Sequence, residues 1–222
     1  MGPVGRRPEG GTALAVAERL RAQLLDGELV AGQKVTEESI RTELGVSRAS
    51  VREAFRLLEN ERLFVHVPDR GVFVRELTPE DMADNYRVRA VLERAALEMV
   101  DDIPQEVLAR LADILAEANE ANARGDRKAV ARMNIAFHKE VVMMAGSPWL
   151  NRMHKAVQAE FRLAYVNIDD GPDFRTHWIW ENQRLYEALR DLPRAQAILY
   201  FEGYLQRARV MFFEAWKARN GE

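Results

Sequence analysis

The chain has 222 residues, a net charge of −3 and a 47% hydrophobic share, enough to bury a core in one or two domains. No apolar run approaches the length of a membrane span, and no apolar stretch follows Arg6 and Arg7 at the N-terminus, so neither a membrane protein nor a secretory leader is expected. With no cysteine at all, disulfide frameworks, thiol nucleophiles and cysteine zinc sites are excluded, and a soluble, cytoplasmic chain is the expectation.

Residues 1–11, rich in Gly, Pro and Arg, read as a disordered arm. Residues 12–76 read as a first domain and residues 77–222 as a second. The first helix is expected from Thr12 to Leu25, with Val16, Leu20 and Leu24 on one face. After the loop marked by Gly27 and Gly32, Thr36 caps a short helix that ends at Leu44. Gly45 then supplies a tight turn, and Ser47 caps a helix running to about Asn60.

On this last helix Val51, Phe55 and Leu58 form an apolar stripe, while Arg48, Arg52 and Arg56 recur every four residues on a neighbouring face. A helix anchored by one face and carrying arginines on another suits a DNA major groove. On charge alone the reading as an ordinary amphipathic surface helix with solvated arginines would win, and the surrounding order of elements tips the balance. Two β-rich runs follow, Leu63 to Val67 and Gly71 to Val74, joined by Pro68-Asp69-Arg70. Three helices and a two-stranded wing are the order of a winged helix-turn-helix, with Arg70 and Gly71 at the tip placed for a phosphate or a minor groove. Residues 1–76 carry twelve basic and twelve acidic side chains, so DNA affinity must come from local placement rather than a bulk positive field.

Beyond Leu77 no strand-like alternation appears. Thr78-Pro79-Glu80-Asp81 combines a cap, a first-turn proline and acidic residues. Breaks at Asp102-Ile103-Pro104, Gly125-Asp126, Gly146-Ser147-Pro148, Gly171-Pro172 and Leu192-Pro193 cut the remainder into six helices, expected to form a bundle. The aromatics Phe161, Tyr165, Trp178, Trp180, Tyr200, Phe201, Phe212, Phe213 and Trp216 read as core or dimer interface rather than as a ligand box. The fold class is therefore mainly α: a winged helix-turn-helix followed by an all-α six-helix bundle.

The segment from Gly45 to Ala54 resembles the signature GVSRxPVREA of the GntR family of bacterial transcription regulators, and Arg70-Gly71-Val72-Phe73-Val74 its wing motif RGxxV. Arg89 to Glu93 resembles the motif RxxLE, and Asn134 to His138 the motif DxxFH, of the branch with an all-helical FCD effector domain. The likeness extends from Ala15 to about Ala218. Ser50 stands where the signature has proline, and Arg62 where a glycine usually ends the recognition helix. The resemblance implies DNA contacts from Ser47, Arg48, Ala49, Ser50, Arg52, Arg56, Arg70 and Gly71.

It also implies a divalent metal in the bundle, held by one aspartate and three histidines. Here Asn134 replaces the aspartate, Asn182 the second histidine and Tyr204 the third, and only His138 remains. Neutral amides and a phenol of pKa about 10 are poor metal ligands. No metal or other cofactor is expected, and His154 and His177 are read as ordinary, partly exposed histidines. Arg89, Asn134, His138, Asn182 and Tyr204 should converge on one central cavity, either as an effector site or as a mutually bonded polar cluster. A buried Arg89 invites an anionic ligand, unless Glu93, one turn away, neutralises it.

The function expected is a homodimeric, DNA-binding transcription regulator, a repressor by preference. It reads a near-palindromic double-stranded operator and answers to a small organic acid. A regulator whose bundle is purely structural is the alternative. An enzyme is disfavoured, because neither Glu-x-x-His pairs nor His-Glu-x-x-His occur.

Overall fold

The computed structural model describes residues 12–166 and 172–220. The expected arm, residues 1–11, and the Gly171 break lie outside the described residues. The described chain divides into two compact units, residues 12–77 with 162–166, and residues 78–161 with 172–220.

The first unit is built from α1 (Ala13–Leu25), β1 (Lys34–Val35), α2 (Glu37–Leu44), α3 (Arg48–Asn60), β2 (Phe64–Val67) and β3 (Gly71–Val74). Each helix starts where a side-chain oxygen meets an orphan N–H: Thr12 caps α1, Thr36 caps α2 and Ser47 caps α3. Gly45 ends α2 at φ 64°, a left-handed conformation that glycine adopts at little cost. Val16, Leu20 and Leu24 of α1 pack with Val51, Phe55 and Leu58 of α3 in a closed core, and the ring of Phe55 meets the edge of Phe64 at 5.6 Å.

One expectation is corrected here. The sheet has three strands in the order β1-β3-β2, not two, because Lys34 and Val35 pair with Phe73 and Val72. Backbone bonds from Gly32 N to Val74 O and from Val74 N to Gln33 O extend this edge. A two-residue strand has no periodicity to read, and it forms because β3 would otherwise leave a row of backbone groups unpaired.

The second unit is the expected bundle: α4 (Pro79–Glu98), α5 (Gln105–Ala123), α6 (Arg127–Met143), α7 (Pro148–Val166), α8 (Pro172–Asp191) and α9 (Arg194–Asn220). A reciprocal capping box opens α4: Asp81 N donates to Thr78 Oγ1, and Thr78 N donates to Asp81 Oδ2. Leu111, Leu115, Phe137, Val141, Leu185 and Phe201 are among its buried core. Of the aromatics, Phe161, Trp178, Phe201 and Phe212 are buried, whereas Trp180 is half exposed. The side chain of Tyr165 lies outside the described residues. No helix among the described residues is long and apolar enough to cross a membrane.

Candidate functional site

Two groupings of side chains stand out, one in each unit. In the first, α3 buries Val51, Ala54, Phe55 and Leu58 and turns its arginines outward, with the side chains of Arg48 and Arg52 61% exposed and that of Arg56 73%. Ser50 N donates to Ser47 Oγ at 3.1 Å, and the two hydroxyls lie 2.9 Å apart. A proline at position 50 has no N–H to offer, so the departure from the family signature restores a cap bond. At the wing, Asp69 takes φ 60°, and the guanidinium of Arg70 lies over the ring of Phe73, 5.5 Å from its centroid.

Glu37, the first residue of α2, was not among the expected contacts. Its Oε1 accepts from Arg52 Nε at 2.6 Å, and its Oε2 lies 3.5 Å from Arg48 Nε. The sequence separation from Arg52 hides the pairing, which only the turn at Gly45 creates. Arg62 adopts φ 61°, a left-handed conformation that favours glycine.

In the bundle, Arg89, Asn134, His138, Asn182 and Tyr204 come together, on α4, α6, α8 and α9. Of the two arrangements the sequence left open, an effector cavity or a mutually bonded polar cluster, they show the second, filling the interior with a chain of hydrogen bonds. Asn182 Nδ2 donates to Asn134 Oδ1 at 2.8 Å, and Tyr204 OH lies 2.7 Å from Asn182 Oδ1. Tyr204 OH also lies 2.8 Å from His138 Nε2, and His138 Nδ1 2.7 Å from Glu93 Oε2. The void beside the amides, lined by Leu115, Val130, Phe137 and Trp178, holds about 10 Å³, the room of a single water.

Glu93 is the hub. Its Oε1 accepts from Arg89 Nε at 2.5 Å and lies 3.2 Å from His154 Nε2, which in turn neighbours Gln158 Nε2 at 3.2 Å. His154 is therefore buried and engaged, not partly exposed as read from the sequence, whereas His177 is exposed, its side chain at 47%. Arg89 is neutralised by Glu93 in the way the alternative reading held. Its Nη1 and Nη2, fully buried, have no hydrogen-bond partner, and Phe161 presents its ring 4.9 Å from the guanidinium carbon.

Burial opposes the Glu93 charge, but Arg89 and His138 hold its carboxyl well below the usual range. Burial, then the Arg89 charge, draws His138 down to about 4 against the pull of Glu93. Burial pushes the Tyr204 phenol upward. Ionised Glu93 can only accept, so it fixes a proton on Nδ1 of the neutral ring and leaves the Nε2 lone pair facing the Tyr204 hydroxyl. That hydroxyl stands between two acceptors with one proton; a half-turn of both amides lets Asn182 Nδ2 donate to Tyr204 and Asn134 Nδ2 to Asn182 Oδ1, so every contact in the chain keeps a proton. Among the described residues, no group of three or more His, Asp or Glu side chains is arranged to hold a metal ion.

A capped, arginine-bearing helix beside a β-wing, joined in one chain to an all-helical bundle, defines a transcription regulator rather than an enzyme. Residues 12–74 match the model for bacterial regulatory proteins of the gntR family and residues 84–199 the FCD domain, and the chain belongs to this family. It is similar to the gluconate operon transcriptional repressor of Bacillus subtilis, 27% identical over 195 residues that cover 84% of this chain and 79% of that one. A solved GntR transcriptional regulator from Rhodococcus sp. RHA1 is 32% identical, covers 91% of this chain and 98% of that chain, and superposes with a TM-score of 0.81. Escherichia coli McbR/YncC shares the fold at 22% identity over 92% of this chain and 98% of that one, with a TM-score of 0.80.

Proposed function

We propose that the chain is a cytoplasmic, homodimeric repressor that binds a near-palindromic operator and is released by a small anionic effector in its bundle. The observation that carries the DNA-reading part is α3 itself. Its apolar face is closed into the core, while Arg48 and Arg52 project together from its first turns. Ser47, Ala49 and Ser50 at the same end approach the backbone, Arg56 extends the basic face, and Arg70 with Gly71 at the wing meets the flanking groove.

A single winged helix reads only a few base pairs, so a two-fold operator calls for a two-fold protein. Val88 and Val91 on α4 and Met99 just past its end are exposed, and Trp149 and Met153 are exposed on α7, which packs beside α4 through Asn85, Tyr86 and Glu93. Exposed apolar side chains at this density suit a surface that a second copy covers.

The effector reading rests on Arg89, Asn134, His138, Asn182 and Tyr204. The continuous bonding of the last four favours a structural bundle instead, and the two unpartnered nitrogens of Arg89 favour a ligand. The test is a mobility shift with DNA from the chain's own genomic neighbourhood. Wild-type protein should retard it, and Arg48→Ala with Arg52→Ala should not; retention of binding by both variants removes the assigned role.

A further inference from the structure

The side chains around His138 do not suit the divalent metal of the relatives, and the misfit has a definite form. Glu93 accepts a hydrogen bond from the Nδ1–H of His138 at 2.7 Å and so leaves the Nε2 lone pair facing outward, as a carboxylate does behind a metal-ligating imidazole. Where a cation would meet that lone pair stands the hydroxyl of Tyr204, at 2.8 Å. Behind it come Asn182 at 2.7 Å and Asn134 at a further 2.8 Å, two amides that offer a cation no charge. With the two amides turned so that Asn182 donates to Tyr204, the hydroxyl proton serves the atom that a metal would serve.

Arg89 adds the second observation. Its Nε is committed to Glu93, while Nη1 and Nη2 are buried without a partner. Two adjacent guanidinium nitrogens match the two oxygens of a carboxylate in a fork. Unmade donors of this kind are rare in native interiors and point to a missing occupant.

We propose that this bundle takes its effector without a metal: the Tyr204 hydroxyl holds the cation's place at His138, and the free nitrogens of Arg89 receive one carboxylate of a small organic acid. This rests on the effector-binding reading above and supplies the chemistry of its site. The void of about 10 Å³ lies beside Asn134 and Asn182 and has room for one water only, so the acid enters when Asn182 and Tyr204 swing aside.

Full-length, untagged protein is analysed for bound metal, stripped with chelator, and melted with zinc, nickel or manganese, and separately with acetate, citrate or inorganic phosphate. The metals should leave the midpoint unchanged. A carboxylate should raise it by about 3 °C or more at saturating concentration. Arg89→Lys keeps the charge, loses the fork and should lose the shift. Combined Asn134→Asp, Asn182→His and Tyr204→His should gain zinc at one atom per chain. Stoichiometric metal in the wild-type protein overturns the proposal, and so does a carboxylate shift that appears only after zinc is restored, which would leave effector binding intact. A shift with phosphate alone, or with none of the three anions, removes the Arg89 seat. Protein that takes a carboxylate yet never releases DNA fails the regulatory reading and not this one.

Discussion

Glu37 Oε1 accepts a hydrogen bond from Arg52 Nε at 2.6 Å, so the first residue of α2 holds the arginine that we propose reads DNA from the exposed face of α3. Held through Nε, the guanidinium keeps both Nη groups for the paired acceptors of a guanine edge. The same carboxylate lies 3.5 Å from Arg48 Nε, so one acid aligns two bases.

Loss of Glu37 should therefore blur discrimination rather than abolish binding. Glu37→Ala removes a negative charge from the DNA-facing surface and frees both arginines, so affinity for mixed-sequence DNA should rise while the preference for operator falls. Arg52→Ala should cost roughly 1–3 kcal/mol of operator binding, with little change in melting temperature. Paired titrations of operator and scrambled duplex measure both; an unchanged preference in Glu37→Ala removes the positioning role.

Arg70 should behave differently, because it stacks on Phe73 at the wing tip and has no base-reading partner helix. Arg70→Ala should weaken all duplexes alike and reduce the slope of log K against log salt by about 1. Loss confined to one sequence would show instead that Arg70 reads bases.

Arg62 at φ 61° carries a left-handed strain that glycine escapes. Arg62→Gly should raise stability by up to about 1 kcal/mol, seen as a melting point a few degrees higher. A decrease would mean that the side-chain interactions of Arg62 outweigh its backbone strain.

The bundle core predicts an acid-sensitive stability. His138 titrates near 6.5 when unfolded and near 4 in the fold, where Arg89, Glu93, Tyr204 and His154 surround it. Between those values the unfolded chain binds a proton that the folded chain refuses. The contribution is thus complete above pH 6.5 and is lost as pH falls toward 4, at a slope approaching 1.4 kcal/mol per pH unit. Chemical denaturation across this range should show the slope in wild type and a reduced one in His138→Gln. Equal slopes would assign the acid sensitivity elsewhere.

Val91, 67% exposed on α4, tests the dimer surface. Val91→Arg should shift the full-length protein toward monomer in sedimentation without lowering its helix content. An unchanged dimer would move the interface to another face.

Much of the domain pattern was legible from local chemistry. Thr12, Thr36, Ser47 and the Thr78-Asp81 box mark helix starts because each satisfies its own first turn, with no help from distant residues. The arginine face of α3 was equally legible, since 3.6-residue periodicity separates it from Val51, Phe55 and Leu58. Strand β1 was not, because a two-residue strand is defined wholly by its partner, and Glu37 was not, because its pairing depends on how α2 turns into α3.

The likeness of the sequence to the FCD motifs was what singled out Arg89, Asn134, His138, Asn182 and Tyr204 for the bundle interior. Only the tertiary structure decided what they do there. Glu93 became the hub of the cluster, His154 was drawn in beneath it, and packing produced the polar cluster, one of the two arrangements the sequence left open. The reason is physical: a buried polar atom takes whichever partner packing brings within about 3 Å, and that partner lies on another helix, far away in the sequence.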